Sequence, residues 1–409
     1  MDLKLIYLNR FILLSLASFV VFSFFSISLT QISCGVGALA WAVKCFLTRS
    51  WGSQKFPLRI PFLLFVLACL IAVADAEDIS NSYKSLKRLL EILIFFWAVN
   101  CIDSEKLREQ LSLLLICSAT LSTFIGFYRA WENGISHYTA SQITFIYRAE
   151  GSMSVYMTFA GLLMLSLLVA SGKLVFAPKK NKWIYFSFVL IAACLMLTFT
   201  RQAWLGVLAG GLFLIWFREK KMLWFIPLIL VIVFVTSPAT IQWRVKSLLD
   251  LNDPNLKRRI LLWEGGWLIF QDHLLTGCGF KCVDAVNHKY PDPKGIIKKL
   301  RGMHNNFIQL AVDTGLFGLV SWISIWVIYF MTLYHGIISM EEDLNYKRDA
   351  MASAAAITGF LVAGIFETNF YDSEVSMLMY FIMALPFTAN WKTLAASEKR
   401  NPETISPRI

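Results

Sequence analysis

Apolar runs long enough to cross a bilayer recur along nearly the whole of this 409-residue chain. They lie near residues 11–29, 31–47, 60–75, 88–102, 110–129, 152–171, 183–200, 203–217, 222–237, 307–335, 351–369 and 374–391. A helix crosses the hydrocarbon core with about 20 apolar residues, fewer where flanking side chains snorkel. The spacing therefore predicts an all-α integral membrane protein with about twelve transmembrane helices. With 57% hydrophobic and only 16% charged residues, a soluble domain would have too little polar surface to face water. No small-residue cleavage site follows the first run, which reads as a retained span.

Basic residues in the short loops set the orientation. Lys4 and Arg10 open the chain. Arg49, Lys55 and Arg59 follow the second run, and Lys173, Lys179, Lys180 and Lys182 follow the sixth. "REKK" covers 218–221, Lys347 and Arg348 precede the eleventh run, and Lys392, Lys399 and Arg400 end the chain. Twelve crossings put all of these on one side, the cytoplasm. The long interval 238–305 then falls outside, with eleven Lys and Arg against six acids. Long loops escape the positive-inside rule, so this charge has another origin: anionic headgroups or an anionic substrate. The net charge of +11 fits either. The chain divides into residues 1–150, N-terminal transmembrane helices, and 151–409, a membrane domain that includes the outer loop.

Three features on the outer side carry chemistry. "TFTRQAWLG" (198–206) puts Arg201 at the junction of two spans with almost no loop between them. An ionisable side chain there marks a functional site unless it only snorkels to the interface. "NLKRRILLWEGGWLIF" (255–270) spaces Ile260, Leu261, Trp263, Trp267 and Leu268 for a short amphipathic helix along the membrane surface, with Arg258 and Arg259 at its start. Guanidinium groups match phosphate oxygens bidentately, and with Arg201 they suggest a diphosphate clamp. "MHNNFIQLAVDTGLFGL" (303–319) places His304 at the edge of a span. A neutral imidazole there could take a proton from a hydroxyl; a cap of the next helix by His304, Asn305 or Asn306 would explain the same residues. Arg148, in "IYRAEGSMSVYM", also lies outside, whereas "SHYTASQ" around His137 carries no clear chemical signal.

Other motifs exclude more than they suggest. Cys278 and Cys282 in "CGFKC" could pair, though no second pair completes a zinc site; Cys34, Cys69, Cys117 and Cys194 sit in apolar runs as small hydrophobes. No Gly-rich nucleotide loop is present. Glu367 and Asp372 in "FETNFYDSE" either touch a substrate or merely mark a polar span end.

His304-Asn305, nine residues, then Gly315 and Gly318 resembles the "H-[NSQ]-x9-G-x-x-G" signature of O-antigen ligases. With "TFTRQAWLG" and "RILLWEGGWLIFQDHLLTGCGF" (259–280), residues 148–320 are similar to the O-antigen ligase and polymerase superfamily. The resemblance implies a metal- and cofactor-independent glycosyltransferase of the bacterial inner membrane with its active site facing the periplasm. Its donor would be an undecaprenyl-diphosphate-linked glycan and its acceptor the lipid A core, among membrane lipids and without nucleic acid. Carried over, Arg201 and Arg259 hold the diphosphate, His304 acts at the acceptor hydroxyl, and Arg258 and Asn305 are further substrate-binding candidates. Arg148 matches a looser "R-x-x-G" element ending at Gly151. His273 stands where the family has proline, so the turn there is expected to differ. An O-antigen polymerase, a protein O-oligosaccharyltransferase (lacking its usual extra outer domain) and a lipid-linked sugar transporter are the alternatives. The transporter would show internal repeats with broken helices in both halves, which the sequence does not reveal.

Overall fold

A computed structural model describes residues 3–138, 148–153, 155–176, 181–237, 239–246, 250, 252–292, 294–339 and 343–388. Lys179, Lys180, Lys392, Lys399 and Arg400, together with most of "SHYTASQ", lie outside these residues. The described residues are mostly helical, with no strand. The α-helices are α1 Leu3–Phe22, α2 Ile27–Leu47, α3 Arg59–Ala74, α4 Ile79–Ser85, α5 Ile92–Cys101, α6 Glu105–Tyr138, α7 Tyr156–Phe176, α8 Lys182–Leu197 and α9 Arg201–Arg218. There follow α10 Ile226–Thr236, α11 Ala239–Lys246, α12 Pro254–Asp272, α13 Val283–Val286, α14 Ile296–Leu300, α15 Asn306–Ser339, α16 Leu344–Ala363 and α17 Ser373–Ala384. Each apolar interval named above contains helix, but the break between the first two falls at residues 23–26 and residues 389–391 lie outside the described residues. Five of these helices (α1, α2, α6, α7 and α15) are long and apolar enough to cross a membrane, while α3, α8 and α17 are shorter apolar helices.

Helix α7 is the axis of the bundle, packed against α8, α9, α16 and α17 and buried along nearly its whole length. Small residues allow these contacts: Gly206 and Gly210 of α9 and Gly172 of α7 leave no room for a Cβ against α16. Large apolar side chains on α1, α2, α3, α8, α10 and α15 remain exposed, as lipid-facing surfaces would be. Helix α7 also runs through Lys173, which the sequence reading put in a cytoplasmic loop. Lys173 is instead buried and pairs with Glu109 at 2.5 Å, while Arg108 pairs with Asp349 at 2.7 Å. Arg348 joins both acids, so the network ties α6, α7 and α16 together at the end of the bundle opposite His304.

Between α10 and α15 the chain folds into a cap with its own small core of Leu262, Ile269, Val283, Val286, Ile297, Met303 and Val312. Helix α12 is longer than the short amphipathic element expected, at 19 residues. It buries Leu262, Gly265, Gly266 and Ile269 and leaves Ile260, Trp267 and Leu268 exposed.

A uniform apolar span was expected over 307–335, yet α15 is broken at Gly315, where φ is 62° and ψ −162°. The loop after α12 fills the break. Leu316 N–H donates to Leu274 O at 2.8 Å, Phe317 N–H to Leu275 O at 3.2 Å, and Cys278 N–H to Val312 O at 2.9 Å. Backbone groups freed at membrane depth must find partners within the protein, and this loop supplies them. A side chain at Gly315 would meet the Leu275 carbonyl. Cys278 and Cys282, whose pairing the sequence left open, are joined by a disulfide with Cα atoms 5.6 Å apart. His273 ends α12, donating its N–H to Ile269 O at 3.1 Å, with its ring 3.7 Å from Glu77.

Candidate active site

Three helices begin at one place, at one end of the bundle. Arg201 is the first residue of α9, Asp253 caps α12, and His304 stands two residues before α15. Asp253 Oδ1 accepts the Asn255 and Leu256 N–H groups at 2.7 and 3.1 Å, which fixes the start of α12. The same carboxylate accepts both terminal nitrogens of Arg201, at 3.2 and 3.4 Å, so the N-termini of α9 and α12 are clamped together. Burial opposes the charge on Asp253, but the Arg201 guanidinium and the two backbone N–H groups outweigh it and hold the carboxyl below its ordinary range.

Glu367 links α15 to this pair. It lies in the turn after α16, and its Oε1 is 2.9 Å from His304 Nδ1. Its Oε2 accepts from Gln202 Nε2, the second residue of α9, at 3.5 Å. Burial alone would raise the Glu367 pKa. The His304 hydrogen bond and charge, the Thr368 N–H and the nearby Arg259 reverse this, leaving a carboxylate with a lowered pKa. His304 has φ 46°, a left-handed conformation rare for a side chain of its size. The neighbouring backbone over-determines it: Met303 O accepts Trp263 Nε1–H at 3.0 Å, and Met303 N–H donates to Gln309 Oε1 at 2.9 Å.

Arg259 lies within electrostatic reach of Glu367, Arg201, Asp253 and Tyr156; its burial pulls the guanidinium pKa down and Glu367 opposes the shift. Arg148 stacks on the Tyr156 ring at 4.0 Å from its centroid, and Tyr156 begins α7. Aligned N–H groups at helix starts carry partial positive charge; Asp253 and Asn305 cap those of α12 and α15, and no side chain caps those of α9.

Two candidates take different parts. Arg258 is exposed and turned back on its own helix start, donating to Pro254 O at 3.2 Å and to Asn255 Oδ1 at 2.8 Å. Asn305 is the cap of α15, its Oδ1 accepting the Phe307 and Ile308 N–H groups at 2.8 and 3.1 Å. That leaves the His304 ring available for other work. Glu367, read in sequence as one of two acids at a span end, is the residue whose importance was missed; its partner is 63 positions away. Among the described residues no cluster of side chains could hold a metal ion.

Residues 186–323 match the O-antigen ligase family. The match supports the O-antigen ligase and polymerase superfamily for this stretch of the chain. The matched stretch contains Arg201, Arg259, His304 and the Gly315 break, while Arg148 and Glu367 lie beyond it. Members of the family are glycosyltransferase-like enzymes of lipopolysaccharide assembly, which implies lipid-linked glycan and lipid substrates. A comparison with curated proteins finds no match.

Proposed function

We propose that this protein is an O-antigen ligase. It moves a glycan from undecaprenyl diphosphate to a sugar hydroxyl of the lipid A core, at the periplasmic face of the inner membrane. In this reading the twelve helical intervals cross the bilayer, residues 151–409 carry the chemistry and 1–150 support it. The observation that carries the proposal is the His304–Glu367 pair set against Arg201 and Arg259.

Because Nδ1 faces the Glu367 carboxylate, it holds the proton in the neutral ring, and Nε2 is left as the basic nitrogen. The acceptor hydroxyl gives its proton to Nε2 as its oxygen attacks the anomeric carbon. The bond from that carbon to the phosphate oxygen breaks on the opposite face, which inverts the centre. Glu367 stabilises the imidazolium that forms, in the manner of a triad carboxylate. Negative charge grows on the departing diphosphate, and Arg201, Arg259 and the start of α9 stabilise it more in the transition state than before it. Asp253 holds Arg201 in place for that role.

Reconstitution tests this. The purified protein receives undecaprenyl-diphosphate glycan and rough lipopolysaccharide, and the products are resolved by mass. Glycan on the lipid A core is the expected result. Longer lipid-linked chains with no transfer to core would make it a polymerase. No covalent product, beside a working ligase control, would favour a transporter.

A further inference from the structure

Beside the His304 turn lies a cavity of about 140 Å³ that shares no lining side chain with the Arg201–Arg259 cluster. One water needs only ~10–15 Å³ of such space, so the cavity has room for a small functional group with part of its sugar. Three cations from separate segments line it: Arg88 from the turn after α4, Lys281 from the disulfide loop, and Arg301 from the end of α14. Arg301 also pairs with the exposed Asp284 at 3.2 Å. Among the described residues neither Arg88 nor Lys281 forms an ion pair; Arg88 lies over the Tyr371 ring, 5.2 Å from its centroid.

The backbone is shaped to present these groups. Lys281 and Arg301 have φ of 60° and 57°, a left-handed conformation that long side chains adopt only where the surroundings impose it. For Lys281 the surroundings are identifiable. Phe280 N–H donates to Ser82 Oγ at 2.7 Å, Gly279 N–H to Asp313 O at 3.1 Å, and the Cys278–Cys282 bridge closes the loop. The cavity adjoins the reacting groups through two lining residues. Gln309 holds the Met303 N–H, and Thr368 follows Glu367. The one acid in the lining, Asp313, is buried and accepts from Gln309 Nε2 at 3.0 Å.

We propose that this cavity binds an acidic group, phosphate or carboxylate, on a sugar of the acceptor glycolipid, and so selects acceptors that carry one near the attacking hydroxyl. The inference rests on the transferase reading for the identity of its ligand. The separation of the two cation clusters, with His304 and Glu367 between them, assigns the diphosphate of the donor to one and the acidic sugar to the other.

The first test needs no transfer. Full-length protein in phosphatidylcholine nanodiscs is titrated with glucose 6-phosphate and with glucose, and binding is read by thermophoresis. The wild type is expected to bind the phosphate sugar and not its neutral twin. Lys281→Met and Arg301→Gln, both at exposed positions, should each weaken binding about tenfold, the order expected for one charge-assisted hydrogen bond. Arg259→Lys should leave it intact. Equal binding of glucose, loss confined to Arg259→Lys, or no binding to correctly melting protein would overturn the proposal while leaving the transferase reading standing. A second arm measures transfer to acceptor glycolipid before and after phosphatase treatment. Lys281→Met should raise KM for the untreated acceptor alone, with KM for the donor unchanged; a raised donor KM instead would place the donor in this cavity and contradict the assignment.

Discussion

His304 Nδ1 and Glu367 Oε1 lie 2.9 Å apart, joining the start of α15 to the turn that follows α16. In the proposed mechanism the contact sets which imidazole nitrogen acts as the base. It also couples that nitrogen to the buried carboxylate that Gln202 and Thr368 hold in place.

Glu367→Gln keeps the shape of this contact and removes its charge. Transfer should fall roughly 10³–10⁴-fold, the scale of a triad carboxylate replaced by its amide. The folded pKa of Glu367 lies below its ordinary 4.5, so its stabilising contribution is full above that value and is lost as pH falls through the folded one. Melting curves against pH should therefore show wild type above Glu367→Gln at neutral pH, with the gap closing in acid. A gap independent of pH would show that the carboxylate's charge contributes nothing to stability.

Arg201→Lys and Arg259→Lys replace a planar fork with a point charge. Each should raise KM for the lipid-diphosphate donor about tenfold or more and lower kcat as well. Arg258→Ala should change both by less than threefold or so, because that side chain folds back on its own helix. Steady-state kinetics on the three variants would reveal equal defects if Arg258 also held the donor.

Gly315→Ala should cost about 1–3 kcal/mol from the backbone conformation alone, and more from the clash with the Leu275 carbonyl. Thermal unfolding in detergent measures it. A stability unchanged from wild type would mean that the break in α15 does not form.

At the far end of the bundle, Asp349→Ala would strand Arg108, which is almost wholly buried, and leave Lys173 with Glu109 alone. Loss of one partner from a buried pair costs about 3–5 kcal/mol. The expected signature is lower stability with an undiminished transfer rate per folded molecule. A kinetic defect at full stability would assign this network a part in the reaction.

Hydropathy marked the helices because every apolar run had to be covered by helix. It passed over the break in α15, since Gly315 alters neither the apolarity nor the length of its run. The buried network was hidden for a related reason: Lys173 and Arg348 stand near span ends, where cations ordinarily flank the cytoplasm. In the sequence Arg201 stood out as a cation at a span junction, and Arg259 and His304 through motifs. Glu367 did not, because an acid at a span end has many ordinary explanations and its partner is distant in sequence. A faint signal existed: Glu367 follows an apolar run with no basic neighbour to pair with locally.

In the proposed reaction His304, oriented by Glu367, accepts the proton of the attacking hydroxyl. Single-turnover transfer from saturating lipid-diphosphate glycan, wild type beside His304→Ala, tests it most directly. The rate should fall by about 10²–10⁴ with donor binding retained. A His304→Ala protein that transfers at the wild-type rate would contradict it.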